Sequence, residues 1–444
     1  SFLTPHSVSS FATPSGTRVI IAATGINLAL GVLYTWSIFK GAIRESIETG
    51  TGGFDWDLAS LNDPYAVCCL VFAFAMILAG KCQDVIGPRK TAAIGGILVG
   101  LGFVWVSQTS DYLSWILGFG VIGGTGIAFG YSSATPAALK WYPPSMTGKI
   151  SGIVVSGFGL ASVYIAPLAI YLLSLWGLKG AMLFFGIAFF IVVSFLSLML
   201  IPPPEGYKPE GVDERRKENN DDDRSKTLED LDISPVEMLK SPIFWMLWIL
   251  YFIGAGAGLM VIGSIAGMAK ASMGSNAFLA VAILAIGNAG GRLAAGILSD
   301  RIGRKKTLSA VFTFQAVLMF ISAFIIGSGS NNTLLLVLLS TFIGFNYGAN
   351  LSLFPSFAKD LWGMRNFGVN YGIIFTAWGV GGFMMSRVSQ SLFAESGTFT
   401  GSFIVAGVLL SIGVLTSFFI KDLKDEMRRE IRMELATDKD ITEG

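Results

Sequence analysis

Twelve long apolar runs govern what this chain can fold into. They cover Val19–Phe39, Leu58–Leu78, Thr91–Val106, Leu113–Ala138, Ile150–Leu173, Leu178–Ile201, Ile243–Met268, Ala277–Leu298, Leu308–Ile326, Leu334–Ala358, Phe367–Met385 and Phe399–Ile420. A helix crosses a bilayer core with about 20 apolar residues, and these runs do not alternate in polarity as barrel strands do. Only 14% of the 444 residues are charged, against about 25% in soluble chains, so most of the surface is not built for water. The expectation is an all-α membrane protein of twelve transmembrane helices.

One long polar segment, Pro202–Ser241, separates the sixth run from the seventh. It opens on Pro202, Pro203 and Pro204 and continues into mixed charge from Asp213 to Arg224, the composition of a solvated linker. The expected organisation is a tail over 1–17, a six-helix bundle over 18–201, the linker over 202–241, a second six-helix bundle over 242–420 and a charged tail over 421–444. The first run is too long for a signal peptide and lacks a small-residue cleavage site. With both termini and the linker in the cytosol, that side holds 25 of the 31 lysines and arginines. The other side holds Lys40, Arg44, Lys179, Lys270 and Arg387, and Arg292 falls inside a run. Basic residues favour the cytosolic side, which predicts a plasma (inner) membrane protein with cytosolic termini.

Composition also removes several functions. The one histidine is His6 and the three cysteines are Cys68, Cys69 and Cys82, which leaves no histidine-based triad, Cys/His zinc site or disulfide framework. No metal or cofactor is expected. A net charge of +1 gives no electrostatic basis for binding nucleic acid. Glycine clusters at Gly120–Gly126 and Gly254–Gly258 have no preceding strand and lie in apolar runs, so they read as sites of close helix packing or bending rather than nucleotide loops.

The two halves repeat. Gly80, Asp84, Gly87 and the pair Arg89 and Lys90 follow the second run; Gly296, Asp300, Gly303 and the pair Arg304 and Lys305 follow the eighth. Asp84 and Asp300 are 216 residues apart, as are Tyr131 and Tyr347, while Gly148 and Gly152 match Gly368 and Gly372 at 220. The repeated loop resembles the signature loop of the major facilitator superfamily, and the 6+6 division agrees with it. That resemblance implies a substrate site between the halves near mid-membrane, exposed alternately to either side. It also implies a gating latch in which Asp84 and Asp300 accept from helix N-termini or from Arg89, Arg301 and Arg304. No phosphate-binding G-x-x-x-x-G-K-[ST] sequence is present, and ATP is not expected.

Arg292 is the most informative residue. An arginine inside a span costs at least ~2.5–3.5 kcal/mol, so it must face the bundle interior with a partner, or snorkel to the cytosolic side. Asp63, the one carboxylate plausibly within a span, lies near the opposite end. A guanidinium in a dry cavity suits a carboxylate, which it binds with two parallel hydrogen bonds. Asn288 is one helical turn away on the same face. Asn27 and Tyr34 share a face of the first run, Asn346 and Asn350 lie one turn apart in the tenth, and Tyr131 and Tyr347 recur in the repeat. Each is a candidate for substrate contact or for holding helices together. Trp36, Trp105, Trp115 and Trp176 lie near run ends, where interfacial anchoring is expected.

The run Gly31–Phe39 is similar to the oxalate/formate antiporter branch of the superfamily, and Arg292 fits both that branch and the monocarboxylate transporters. Oxalate exchangers are similar over Gly372–Trp378 but carry a lysine where this chain has Trp378. Animal monocarboxylate transporters carry an aspartate where this chain has Asn288, and a lysine in the first helix. The chain thus resembles a bacterial-type relative of the monocarboxylate transporters. Two cations suit a dianion; one arginine suits a monoanion, with Phe375 and Trp378 available for an apolar tail. The resemblance implies a secondary active carrier of lactate- or pyruvate-like acids, acting as a monomer and not as an enzyme. A proton is the expected co-substrate, because a monoanion entering a negative interior is opposed by ~2.3 kcal/mol per 100 mV. An exchanger for oxalate-like anions and a carboxylate sensor that does not transport are the alternatives.

Overall fold

The computed structural model describes residues 14–209, 232–329 and 332–420. The expected tails, up to residue 13 and from 421 onward, and the linker centre, 210–231, lie outside the described residues.

Ten described helical segments are long and apolar enough to cross a membrane. One of them, Pro144–Ser197, holds two passes, because its helix breaks at Gly177 with φ 69°, a left-handed conformation that glycine adopts without steric cost. Gly157 lies against Thr24 and Leu196 lies against Gly25. Residues on either side of the break therefore sit at one depth, and the chain has reversed. With Phe367–Ser396 as the eleventh, twelve passes result. The first is Pro14–Leu30, wound tighter over Gly31–Thr35 and continued as Trp36–Thr49. The second to fourth are Asp63–Ile86, Pro88–Val106 and Tyr112–Leu139. After the fifth and sixth come Pro242–Ile262, Phe278–Ile302, Arg304–Gly327, Thr333–Trp362, Phe367–Ser396 and Thr400–Phe418.

Large apolar side chains such as Phe195, Phe324 and Leu415 are more than 60% exposed, an outer surface suited to lipid. The bundles meet chiefly where the second pass lies along the eleventh and the fifth along the eighth. The linker ends dock on the bundles they leave and enter. Tyr207 Oη donates to the Trp141 carbonyl at 3.1 Å, and Asn370 Nδ2 donates to the Ile233 carbonyl at 3.0 Å.

Several expectations need correction. Lys40 and Arg44, which follow the run Val19–Phe39, lie in the helix Trp36–Thr49 that carries the first pass beyond that run. Trp36 and Trp115 are fully buried in a cluster with Phe119, Phe54 and Trp56, so they pack a core and do not anchor an interface. The glycine cluster of the fourth pass, by contrast, is where close packing was expected: it lies in and beside a π-helical turn, Ile116–Gly123, against the second and third passes.

Candidate functional site

Arg292 is fully buried in the eighth pass. Glycines bring the fifth pass close to it: a Cβ at Gly152 would lie 2.7 Å from the Arg292 carbonyl oxygen, and one at Gly159 would lie 3.0 Å from Nε. The guanidinium thus reaches into the other bundle. Its Nη1 donates to the Val155 carbonyl at 3.0 Å, Nη2 to Tyr34 Oη at 2.9 Å and Nε to Asn288 Oδ1 at 2.9 Å. The rings of Tyr34 and Phe158 lie 5.8 and 5.7 Å from Cζ, within cation–π range. Among the described residues Arg292 makes no ion pair, and its three acceptors are neutral.

A change of helical winding delivers Tyr34. The 3-10 stretch Gly31–Thr35 runs past the fifth pass so closely that a Cβ on Gly31 would lie 2.3 Å from the Phe158 carbonyl oxygen. Tyr34 Oη also bonds Tyr347 Oη, which accepts from Trp378 Nε1 at 2.8 Å. Arg292 and Trp378 can only donate. The two hydroxyls share one bond, so one of their protons is surplus within this chain of four. Two further buried groups, Asn288 Nδ2 and Tyr131 Oη, make no hydrogen bond within 3.5 Å, with Tyr371 and Arg292 the polar neighbours of the Tyr131 hydroxyl. Leaving a buried donor unbonded costs about 1–3 kcal/mol. The arrangement is rich in donors and poor in acceptors, and suits a group that only accepts.

The adjoining wall is aromatic. Phe375 stacks on Trp378 at 4.8 Å between centroids, and Phe72 lies 5.0 Å from each. Tyr131 packs 5.7 Å from Phe375 and 5.2 Å from Phe158. The structure therefore brings Arg292, Asn288, Tyr34, Tyr347 and Trp378 into one bonded chain, beside Tyr131 and Phe375. Asn27 and Asn346 stand apart. Asn27 Nδ2 ties the first pass to the fifth through the Val154 carbonyl at 2.8 Å, and Asn346 Nδ2 donates within its own helix to the Phe342 carbonyl at 3.1 Å. Asp63 accepts from Tyr112 Oη at 2.5 Å. Tyr131 and Tyr347 share a repeat spacing but not a set of partners.

Sequence reasoning missed Phe72 and the Val155 carbonyl. The repeat held a signal for the first, since Phe72 and Met76 precede Asn288 and Arg292 by 216 residues.

The two repeated aspartates, expected as a latch, lie between the bundles on the face that carries the linker. Asp84 accepts from the Gly368 and Val369 N–H groups at 3.2 and 3.1 Å, and Asp300 from those of Gly148 and Lys149 at 3.0 and 2.9 Å. Each carboxylate thus caps the first turn of a helix in the opposite bundle, where the helix dipole favours negative charge. Arg304 pairs with Asp300 at 2.6 Å and with Asp360 at 3.0 Å. Arg89 and Arg301 are exposed and make none of these contacts, so the two carboxylates meet backbone N–H groups and one arginine rather than the expected set of three. The counterpart of Arg304 in the first half is Pro88, and Asp84 has Lys140 and Lys81 as its nearby cations.

Twelve passes in two bundles, an aspartate in each half that caps a helix of the other half and a buried arginine between them are the architecture of a membrane transporter. The chain belongs to the Major Facilitator Superfamily, whose family model matches residues 19–386 and 267–438. It is a transporter and not an enzyme. It is 29% identical over 363 residues to YhjX, an uncharacterized MFS-type transporter of Escherichia coli, covering 80% of this chain and 82% of that one. It is 23% identical over 423 residues to the oxalate:formate antiporter of Oxalobacter formigenes, covering 94% of both chains. It is 25% identical over 388 residues to monocarboxylate transporter 13 of Rattus norvegicus, covering 87% of this chain and 84% of that one.

Proposed function

We propose that the chain carries small monocarboxylates of lactate or pyruvate size across the plasma (inner) membrane as a monomer, with its termini and linker in the cytosol and with a co-transported proton. The observation that carries this reading is the buried Arg292, held only by neutral acceptors and surrounded by unused donors. A carboxylate brings acceptors alone. It can take the two terminal nitrogens in parallel and give Asn288 Nδ2 and Tyr131 Oη a short hydrogen bond that neither makes within the protein. The counterparts of Asn288 and Arg292 in the first half are Phe72 and Met76, so the charge is one-sided and the remaining wall is apolar. That asymmetry favours a single carboxylate with a small apolar tail over a dianion. Two of the relatives are named for small carboxylates.

Neutralising the anion with a proton removes the opposing electrical term of ~2.3 kcal/mol per 100 mV. Uptake of radiolabelled lactate into liposomes containing the purified protein tests both parts. Uptake should rise with an imposed inward proton gradient, and indifference to the gradient refutes symport. The likeness over 94% of both chains to an oxalate:formate antiporter favours a second reading, exchange of one carboxylate for another. In that case, preloading with lactate or oxalate stimulates uptake and the proton gradient does not.

A further inference from the structure

One turn from Phe375 toward the linker face, the eleventh pass carries Tyr371, so that Tyr371, Phe375 and Trp378 share one side of the helix. Tyr371 Oη lies 3.0 Å from Tyr251 Oη of the seventh pass, and both residues are buried. Phe354 fixes Tyr251 by stacking on it face to face, at 4.0 Å between centroids. Among the described residues neither hydroxyl makes another hydrogen bond within 3.5 Å, and the Tyr131 hydroxyl is a further polar neighbour of Tyr371. Tyr131 in turn has Arg292 beside it. A row of hydroxyls, Tyr131, Tyr371 and Tyr251, therefore leads away from the central guanidinium on the side of Phe375 opposite Trp378. Three hydroxyls in a row hold three protons and make at most two bonds among themselves. Whichever way those bonds run, one buried proton is left without an acceptor.

We propose that Tyr371, held by Tyr251, is a specificity-determining residue: it bonds an oxygen on the carbon next to the carboxylate, and so selects 2-oxo and 2-hydroxy acids over the same acids without that oxygen. The inference rests on the monocarboxylate reading above and names the residue that tells one such acid from another. With the carboxylate on Arg292 and Tyr131, an oxygen on the next carbon sits one hydroxyl further along the row. An oxo group only accepts, and takes the surplus proton. A hydroxyl group takes it too, and finds an acceptor for its own proton in the Tyr371 or Tyr251 oxygen. A methylene at that place leaves the surplus proton buried and unbonded. A site built around such a bond discriminates far more strongly than one that merely loses contact area.

The test uses the full chain, purified in detergent, with pyruvate, L-lactate and propionate, three acids that differ only at the second carbon, and reads Kd by titration calorimetry. Wild type should bind pyruvate and L-lactate about 10- to 100-fold more tightly than propionate. Tyr371→Phe should bring that ratio down to about threefold or less. Tyr251→Phe, which keeps the Tyr371 hydroxyl but removes its fixed partner, should narrow the ratio part of the way. A purely structural role would weaken all three acids together and keep the ratio, so an unchanged ratio in Tyr371→Phe overturns the proposal. Wild-type protein that binds propionate as tightly as L-lactate overturns it as well. Arg292→Lys reports separately on the underlying reading: it should weaken all three acids, and if it weakens none, the carboxylate assignment falls whatever the ratio. Absence of binding of all three acids to wild type removes that reading and this proposal together.

Discussion

Arg292 and Met76 occupy the same place in the two halves of the chain. A Cβ on Gly152 would lie 2.7 Å from the carbonyl oxygen of Arg292, and one on Gly372 would lie 2.6 Å from that of Met76. Both pairs obey the repeat, at 216 and 220 residues. The pseudo-two-fold axis thus relates a cation to a thioether, and the centre of the molecule is symmetric in backbone but polar in chemistry. That polarity can set which end of a substrate faces which bundle.

Replacing Arg292 with lysine keeps the charge but loses the planar fork that reaches Val155, Tyr34 and Asn288 together. Lactate binding should weaken by about 2 kcal/mol or more, roughly 30-fold in Kd. Titration calorimetry on the purified protein reads this directly, and binding of wild-type strength refutes the assignment of Arg292.

Tyr34→Phe removes the acceptor of Arg292 Nη2 and the partner of Tyr347 in one step. The loss should lower stability by about 1–3 kcal/mol. A lower melting temperature in a thermal-shift assay is the expected result. An unchanged one means that the cross-bundle chain contributes nothing.

The latch makes a local prediction. In Asp84→Asn the charged cap over Gly368 and Val369 is lost, worth about 1 kcal/mol at a helix N-terminus. Amide exchange at those two positions should therefore quicken roughly fivefold, while Gly148 and Lys149, capped by Asp300, keep their protection. Hydrogen exchange with mass spectrometry separates the two sites, and equal acceleration at both contradicts independent latches.

Close approach behind the latch can be tested by crowding. A Cβ on Gly148 would sit 2.3 Å from the Gly296 carbonyl oxygen. Gly148→Ala should therefore push the bundles apart on the linker face, at a cost of about 1–3 kcal/mol. Spin-label distances across that face should lengthen relative to wild type.

Trp378→Lys places a second cation on the aromatic wall and removes the donor to Tyr347. Counterflow should shift from lactate toward oxalate, because two cations match two carboxylates. Retained preference for lactate would show that Trp378 does not set the charge of the substrate.

The membrane makes the architecture legible from the chain alone. Lipid offers no hydrogen bonds, so every pass must be a long apolar helix, and twelve such runs are visible. The fixed repeat spacing exposes the two halves, and the cost of a charge in hydrocarbon singles out Arg292. The tertiary structure decided what that arginine meets. Tyr34 and Tyr347 are 313 residues apart, the Val155 acceptor is a backbone atom, and Trp36 and Trp115 read as anchors although they are buried. These contacts depend on the depth and rotation of each helix, which glycine-mediated packing between helices sets. Along a single strand of sequence, an apolar residue facing lipid and one facing the core look alike; only packed neighbours distinguish them.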